Sequence, residues 1–179
     1  METLLDATVD ILAEEGWERL SLERIAERAG TSRVTLWRQG ITRDALVDAL
    51  LERLTDDYRR SLWPILTAAG SGRTRLEAAI RALCDVADRH LQLLLASDTA
   101  FHQAQERAPV RPSFVEPLIR LLQDGVADGS LQEPPNYRER ANALFNTVCW
   151  SYVHLRGRHG WSSQRAASNI LDLVLNGVA

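Results

Sequence analysis

Six arginines between residues 19 and 43 form the one strongly basic stretch of this chain. The same stretch holds two acids, Glu23 and Glu27, so its net charge is +4 in a chain whose formal net charge is −3. Guanidinium groups bind phosphate oxygens and guanine edges through paired hydrogen bonds. An ordinary solvated helix face also explains many charge runs of this size. Charge alone therefore leaves nucleic-acid binding and a plain surface as alternatives. The arginines are Arg19, Arg24, Arg28, Arg33, Arg38 and Arg43.

The elements that position these arginines are two short predicted helices. Ser21 is placed to cap a helix from about Leu22 to Ala29, and Gly30 is placed to end it. Ser32 is placed to cap a second helix from Arg33 to about Gln39. This spacing is typical of a helix-turn-helix, whose second helix enters the major groove of DNA.

The second of these helices carries the residue types that read DNA. We expect Leu36 to reach the core and Val34 to lie at its edge, which leaves Arg33, Thr35, Trp37 and Arg38 available to DNA. Arginine reads guanine or holds phosphate, and threonine contacts a base edge or a thymine methyl group.

The stretch from Ala7 to Val47, ATVDILAEEGWERLSLERIAERAGTSRVTLWRQGITRDALV, resembles the tetracycline-repressor family of regulators. The resemblance covers about a quarter of the chain. It implies that Ser21 lies near phosphate, that Arg33 and Thr35 touch the major groove, that Trp37 packs on the DNA backbone, and that Arg43 holds phosphate. The predicted DNA-binding residues are Ser21, Thr31, Ser32, Arg33, Thr35, Trp37, Arg38, Gln39 and Arg43.

The chain departs from the family pattern at two places. Gln39, Gly40 and Ile41 stand where relatives usually carry an aromatic residue; we expect Gly40 to end the helix and Ile41 to fill the core space. The basic N-terminal arm of many relatives is replaced by a helix that begins almost at Met1, which predicts weaker non-specific affinity for DNA.

The whole chain is predicted to be all-α, with about nine helices. Apolar residues recur three and four positions apart, and no stretch alternates as a strand would. We expect a helix-turn-helix DNA-binding domain over residues 1–47 and a larger helical ligand-binding and dimerisation domain over residues 48–179. A long helix from about Arg43 joins them, and Pro64 is expected to kink or end it.

The last two predicted helices carry more apolar surface than one core requires. Their apolar arcs are wider than the stripe of about 100° that a single partner covers. Deep burial inside a monomer would explain the same pattern. The family resemblance instead implies a four-helix interface in a homodimer, which would place two DNA-reading helices on one face of a duplex. The predicted interface residues are Phe145, Val148, Tyr152, Ile170 and Val174.

Aromatic and histidine side chains within the apolar helices are the only indication of a ligand pocket. If they line one cavity, they would suit an aromatic or amphipathic effector. Taken singly, each aromatic is more often a core residue, and a lone histidine is more often simply hydrogen-bonded or exposed. The predicted ligand-binding residues are His90, Phe101, His102, Phe114, Trp150 and His154.

Other classes of protein find little support in the sequence. Cys84 and Cys149 have no paired spacing, so we predict neither disulfide nor zinc site, and no other cofactor. No Glu-x-x-His motif, phosphate loop or nucleophile elbow indicates an enzyme. The N-terminal residues are acidic and no apolar run approaches about 20 residues, so we expect a cytoplasmic protein without membrane segments.

We therefore expect a transcriptional regulator that binds double-stranded operator DNA as a repressor and is released by a small molecule. Two alternatives stay open, a small helical enzyme and a helical adaptor that binds no ligand.

Overall fold

A computed structural model describes residues 1–96 and 114–176 of the chain. Within these ranges helices joined by turns and loops form the structure and no strand occurs, which confirms the all-α prediction. None of the described helices has the length and hydrophobicity that crossing a bilayer requires. The helices are α1 (Glu2–Glu15), α2 (Leu22–Arg28), α3 (Arg33–Arg38), α4 (Arg43–Leu66), α5 (Gly72–Arg89), α6 (Glu116–Ala127), α7 (Tyr137–Gly157) and α8 (Ser163–Asn176), with a 3₁₀ turn at Trp17–Arg19 and further helical backbone over residues 91–96.

The chain divides into two compact units. Of the described residues, the first unit contains 1–55 and 92–96, and the second contains 56–91 and 114–176. The change from one unit to the other falls inside α4, after Thr55. A functional boundary after Val47 stays a prediction.

The core of the first unit is formed by one apolar stripe from each short helix. Ile11 of α1, Ile25 of α2 and Leu36 of α3 are all at most 2% exposed. Inside this core the hydroxyl of Thr8 donates to the carbonyl of Leu4 at 2.7 Å, so its polar group is satisfied. Because each helix is short, its stability depends on this shared burial rather than on helix propensity.

The ends of α4 and α5 compare differently with the sequence-based expectations. Helix α4 ends at Leu66, two residues after Pro64, so the proline lies within its final turn. The spacing of apolar residues predicts a helix from about Thr74 to Ala96, whereas α5 begins at Gly72 and ends at Arg89. His90 leaves the helical conformation, and its ring bonds to the Asp57 carboxylate at 2.7 Å. Periodicity does not reveal this break, because helical backbone resumes over residues 91–96.

In the second unit, α5 and α6 approach closely where two glycines meet. A Cβ added at Gly72 would overlap the backbone nitrogen of Gly125 and lie 2.9 Å from the carbonyl carbon of Asp124. The following loop caps the start of α5: the Gly72 amide donates to Asp128 at 2.6 Å and the Arg73 amide donates to Ser130 at 3.0 Å. Hydrogen bonds from Ser130 and Gly72 lower the pKa of the Asp128 carboxyl.

A polar network holds the turn between α7 and α8. The hydroxyl of Tyr152 donates to Asp88 at 3.0 Å, and Arg156 donates to the same carboxylate at 2.6 Å. Arg156 also donates to the Trp161 carbonyl at 2.6 Å, and the Arg165 guanidinium lies 3.9 Å from the centroid of the Trp161 ring. These contacts fix the position of Trp161 beside the two helices.

Candidate functional site

The turn between α2 and α3 is closed by backbone hydrogen bonds. Gly30 has φ +69°, a left-handed conformation that costs other residues energy. Its amide donates to Glu27 at 3.1 Å, and the Thr31 amide donates to Ala26 at 2.9 Å, which together end α2 in a Schellman motif. Ser32 then caps α3, because its Oγ accepts from the Thr35 amide at 3.1 Å. The predicted helix-turn-helix is present.

The end of α3 is defined in the same way. Gly40 has φ +70°, and its amide donates to Trp37 at 3.0 Å. The Ile41 amide donates to Leu36 at 3.0 Å. The expectation that Gly40 ends the helix is confirmed, and Ile41 is half-buried. The Thr42 hydroxyl then accepts from the Ala45 amide at 3.1 Å and caps α4.

Helix α3 buries one side chain and presents the others. Leu36 is 2% exposed, as expected, whereas Val34 is 65% and Trp37 is 75% exposed. The expectation that Val34 lies at the edge of the core is wrong. With six residues, α3 has room for a single inward position, and Val34 lies about 160° around the helix from Leu36.

Ion pairing distinguishes the arginines of α2 from those of α3. Arg24 pairs with Glu15, and Arg28 pairs with Glu14 at 2.6 Å. The acids of α1 thus neutralise the arginines of α2, and the Arg28 guanidinium lowers the pKa of the Glu14 carboxyl. In the described part of the chain, Arg33 and Arg38 of α3 have no carboxylate within 4.0 Å, and both are exposed. Of the six arginines, Arg33, Arg38 and Arg19 of the 3₁₀ turn are thus without an ion pair among the described residues, and two of these three lie on α3.

Arg43 lies at the start of α4 with two neighbours. Its guanidinium donates to the Asp44 carboxylate at 3.3 Å and lies 5.2 Å from the centroid of the Trp17 ring. A phosphate contact by Arg43 would compete with Asp44, so the role inferred from the family resemblance stays a prediction.

The remaining predicted DNA-binding residues lie around the same turn. Ser21 caps α2 by accepting from the Arg24 amide at 3.3 Å. The hydroxyls of Ser32 and Thr35 are hydrogen-bonded to each other at 2.9 Å. Thr31 is half-buried in the turn, and Gln39 is exposed at the end of α3. The structure brings these residues together with Arg33 and Arg38 within the first unit.

A groove of about 800 Å³ runs between α7 and α8 in the second unit. Trp150 and Leu173 are 40% and 51% exposed, so the groove presents apolar surface to its surroundings. The lining residues are Thr147, Trp150, Ser151, His154, Leu155, His159, Trp161, Asn169, Ile170, Asp172, Leu173 and Val174.

The predicted dimer residues are divided between this groove and the protomer interior. Ile170 and Val174 line the groove. Val148 and Tyr152 are at most 1% exposed, and Phe145 stacks on Phe114 with ring centroids 5.7 Å apart. A side chain that is fully buried within one protomer has no surface to offer a partner, so Val148 and Tyr152 are corrected to core residues. Many residues of α7 are apolar because its inner face is packed against the rest of the protomer. Sequence periodicity does not distinguish an apolar face that packs inside the protomer from one that binds a second copy.

The predicted ligand residues do not form one group in the described structure. His90 pairs with Asp57, and Phe114 packs edge-on against Tyr58 at 5.0 Å between ring centroids. Trp150 and His154 lie apart from these in the groove between α7 and α8. Phe101 and His102 lie outside the described residues.

An apolar aromatic cluster, formed by Tyr58, Phe114 and Phe145, lies inside the second unit. The Tyr58 hydroxyl donates to the Phe114 carbonyl, and burial raises the pKa of that hydroxyl.

Cys84 and Cys149 are free thiols, and burial raises the pKa of the Cys84 thiol to about 12, so it is protonated at neutral pH. No group of three or more histidine, cysteine or acidic residues able to hold a metal occurs among residues 1–96 and 114–176.

Comparison with known proteins supports the assignment of the helix-turn-helix. The family model of bacterial regulatory proteins of the tetR family matches residues 4–50. The HTH-type transcriptional repressor DrrR1 of Streptomyces coeruleorubidus is 30% identical over 122 residues, 68% of this chain and 42% of that protein. The chain thus matches less than half the length of that relative. The uncharacterised regulator YvdT of Bacillus subtilis strain 168 is 20% identical over 82% of this chain and 77% of its own length.

Solved structures share the fold. PfmR of Thermus thermophilus, a TetR family regulator, aligns with a TM-score of 0.80 at 16% identity over 98% of both chains. A TetR/AcrR family regulator of Thermobifida fusca aligns with a TM-score of 0.74 at 20% identity, covering 99% of this chain and 97% of that one. The helix-turn-helix geometry and the family-model match agree over residues 4–50: this region is a helix-turn-helix of the tetR family of bacterial regulatory proteins, and the chain shares the fold of the solved regulators.

Proposed function

We propose that this chain is a DNA-binding transcriptional repressor that acts as a homodimer in the cytoplasm and releases its operator when a small molecule binds. It acts by binding, without catalysing a reaction. The observation that carries the proposal is α3, a short helix with one buried residue and two exposed arginines that no carboxylate of the described structure neutralises. Such a helix fits the major groove, where arginine reads guanine.

Arg33 and Arg38 are expected to supply most of the sequence-dependent affinity. Replacing either with alanine should weaken binding to a mapped operator by about 1 to 3 kcal/mol if the side chain reads a base. The measurement is fluorescence anisotropy with a labelled duplex that the wild-type protein has selected from a random-sequence library.

Arg28→Ala is the matched control, because Arg28 is already paired with Glu14 and belongs to α2. Its operator affinity should stay within about twofold of wild type. Equal losses for the Arg28, Arg33 and Arg38 variants would contradict the assignment of α3 as the reading helix.

Arg43→Ala should weaken binding to all sequences alike and reduce the slope of affinity against salt concentration.

The homodimer is proposed through the groove between α7 and α8. Trp150 and Leu173 leave apolar surface exposed there, while the inner faces of both helices are already packed within the protomer. Burying these side chains against the same groove of a second copy removes apolar area from water. A dimer would supply the two DNA-reading helices that a two-part operator requires.

The effector is proposed to be aromatic or amphipathic, and to bind in the second unit near the Tyr58–Phe114–Phe145 cluster. The buried Tyr58 ring and the half-buried rings of Phe114 and Phe145 supply apolar contact, and the His90–Asp57 pair, whose Asp57 precedes Tyr58 in α4, supplies polar groups. A FadR structure from Bacillus subtilis, solved in complex with stearoyl-CoA, shares the fold with a TM-score of 0.75 at 14% identity. Stearoyl-CoA is therefore a reasonable first probe.

The effector proposal is tested by calorimetry of stearoyl-CoA and a panel of aromatic acids, with and without bound operator. An effector that releases DNA must bind more weakly to the DNA complex, by the same factor by which it weakens DNA binding. We expect a factor of about 5 to 150 for the compound that binds. Equal affinities in the two titrations would show that the compound binds without affecting DNA binding, which contradicts its role as an effector.

A further inference from the structure

The surface of α3 that faces away from the core has an apolar residue at its centre. At about 100° per residue, Val34 and Arg38 both lie about 160° around the helix from the buried Leu36. Arg33 and Thr35 lie about 100° to either side of Val34. The two side chains aimed most directly outward are therefore Val34, which is 65% exposed, and Arg38.

The polar side chain next to Val34 is already engaged. The Thr35 hydroxyl bonds to Ser32 Oγ at 2.9 Å, and the Thr35 amide also donates to that oxygen at 3.1 Å. This contact ties Thr35 to the cap of α3 and leaves Val34 as the exposed aliphatic group of the helix.

A valine pressed against a base edge needs an apolar partner. Polar edges lose hydrogen bonds to water when an aliphatic group covers them, which costs free energy. In the major groove, the C5 methyl group of thymine is the apolar feature that a base pair presents. Arg38, on the same outward face, is suited to a neighbouring guanine or phosphate.

We propose that Val34 is a specificity-determining residue that recognises the C5 methyl group of a thymine in each half of the operator. The inference rests on the proposed function, since it requires α3 to lie in the major groove. It adds a reading residue that the sequence pattern placed at the edge of the core, and it predicts a chemical feature of the operator.

The test removes the methyl group from DNA and the side chain from the protein in one double-mutant cycle. Operators are selected by the wild-type protein from synthetic, unmethylated random duplexes, so thymine is the only source of a C5 methyl group. Each thymine of a half-site is then replaced by deoxyuridine, and affinities are measured for wild type, Val34→Ala and Thr35→Ser. Val34 is exposed, so its replacement should leave the thermal unfolding midpoint unchanged.

For wild type, deoxyuridine at one position should weaken binding about fourfold per half-site, the value for one buried methyl group. With both half-sites substituted the loss should be about 15-fold. Val34→Ala should lose affinity on the thymine operator and show no further loss on the deoxyuridine operator, because the partner is already absent. Thr35→Ser should keep the wild-type dependence on thymine.

Three results would overturn the proposal. The selected half-sites could lack thymine, or deoxyuridine could leave the affinity unchanged at every position. In the third, the Val34→Ala variant would still bind the thymine operator more tightly than the deoxyuridine operator, whereas the Thr35→Ser variant would not. Failure of the proposed function looks different, since the wild-type protein would then select no preferred sequence. A wild type that selects an operator, loses affinity in the Arg33 and Arg38 variants and ignores the methyl group would contradict the role of Val34 alone.

Discussion

Leu173→Asp is expected to dissociate the homodimer and to weaken operator binding by about 10² to 10⁴-fold. Leu173 is 51% exposed and lines the groove between α7 and α8 beside Trp150. Two carboxylates brought together at a twofold interface would lose water without gaining a partner. Once the protomers separate, each DNA-reading helix binds alone and the gain from linking two half-sites disappears. Analytical ultracentrifugation at micromolar concentration measures the first effect, and anisotropy with the selected operator measures the second.

Ser168→Asp is the matched control for this substitution. It adds the same charge to an exposed position of α8 that does not line the groove, so the dimer should persist. A wild-type protein that sediments as a monomer would refute the dimer, and with it the expected loss of affinity.

Val174→Asp changes another groove residue and should also dissociate the dimer. Tyr152→Asp should instead unfold the protomer, because Tyr152 is buried and bonds to Asp88.

Gly72→Ala is expected to destabilise the second unit by about 3 kcal/mol. Alanine normally favours a helix over glycine by about 1 kcal/mol, so the helix propensity predicts the opposite sign. Here the new Cβ would overlap backbone atoms of α6, which cannot rotate away as a side chain end could. Moving α5 aside would also break the amide hydrogen bonds to Asp128 and Ser130. Chemical denaturation at fixed protein concentration measures the change.

Ala78→Gly on the exposed face of α5 is the control for helix propensity, and it should cost at most about 1 kcal/mol. If Gly72→Ala were as stable as wild type, the close approach of α5 and α6 would not constrain this position. Secondary-structure content should be compared at low denaturant, so that a shifted but folded α5 is distinguished from an unfolded one.

The sequence was informative where structure is local. Caps and stops act within a few residues, so Ser21, Gly30, Ser32 and Gly40 predicted the ends of α2 and α3 correctly. The order of those signals also carried the resemblance to the tetR family, because a helix-turn-helix is made of contiguous residues. The chemistry of the reading helix could be proposed from the same stretch.

Features that depend on distant residues required the tertiary structure. Residues of α1 decide which arginines are neutralised, since Glu14 and Glu15 reach Arg28 and Arg24 across the fold. Periodicity showed that α7 is apolar but not which face packs inward. Contacts with Asp88 and Phe114 place Tyr152 in the interior and leave Phe145 half-buried, whereas Trp150 is exposed. The position of Val34 also depends on packing. Its apolar type suggested the edge of the core, whereas Leu36 takes the single inward position of α3 and Val34 faces outward. The residue types show which side chains are apolar enough to be buried, and the packing of neighbouring helices determines which of them are buried.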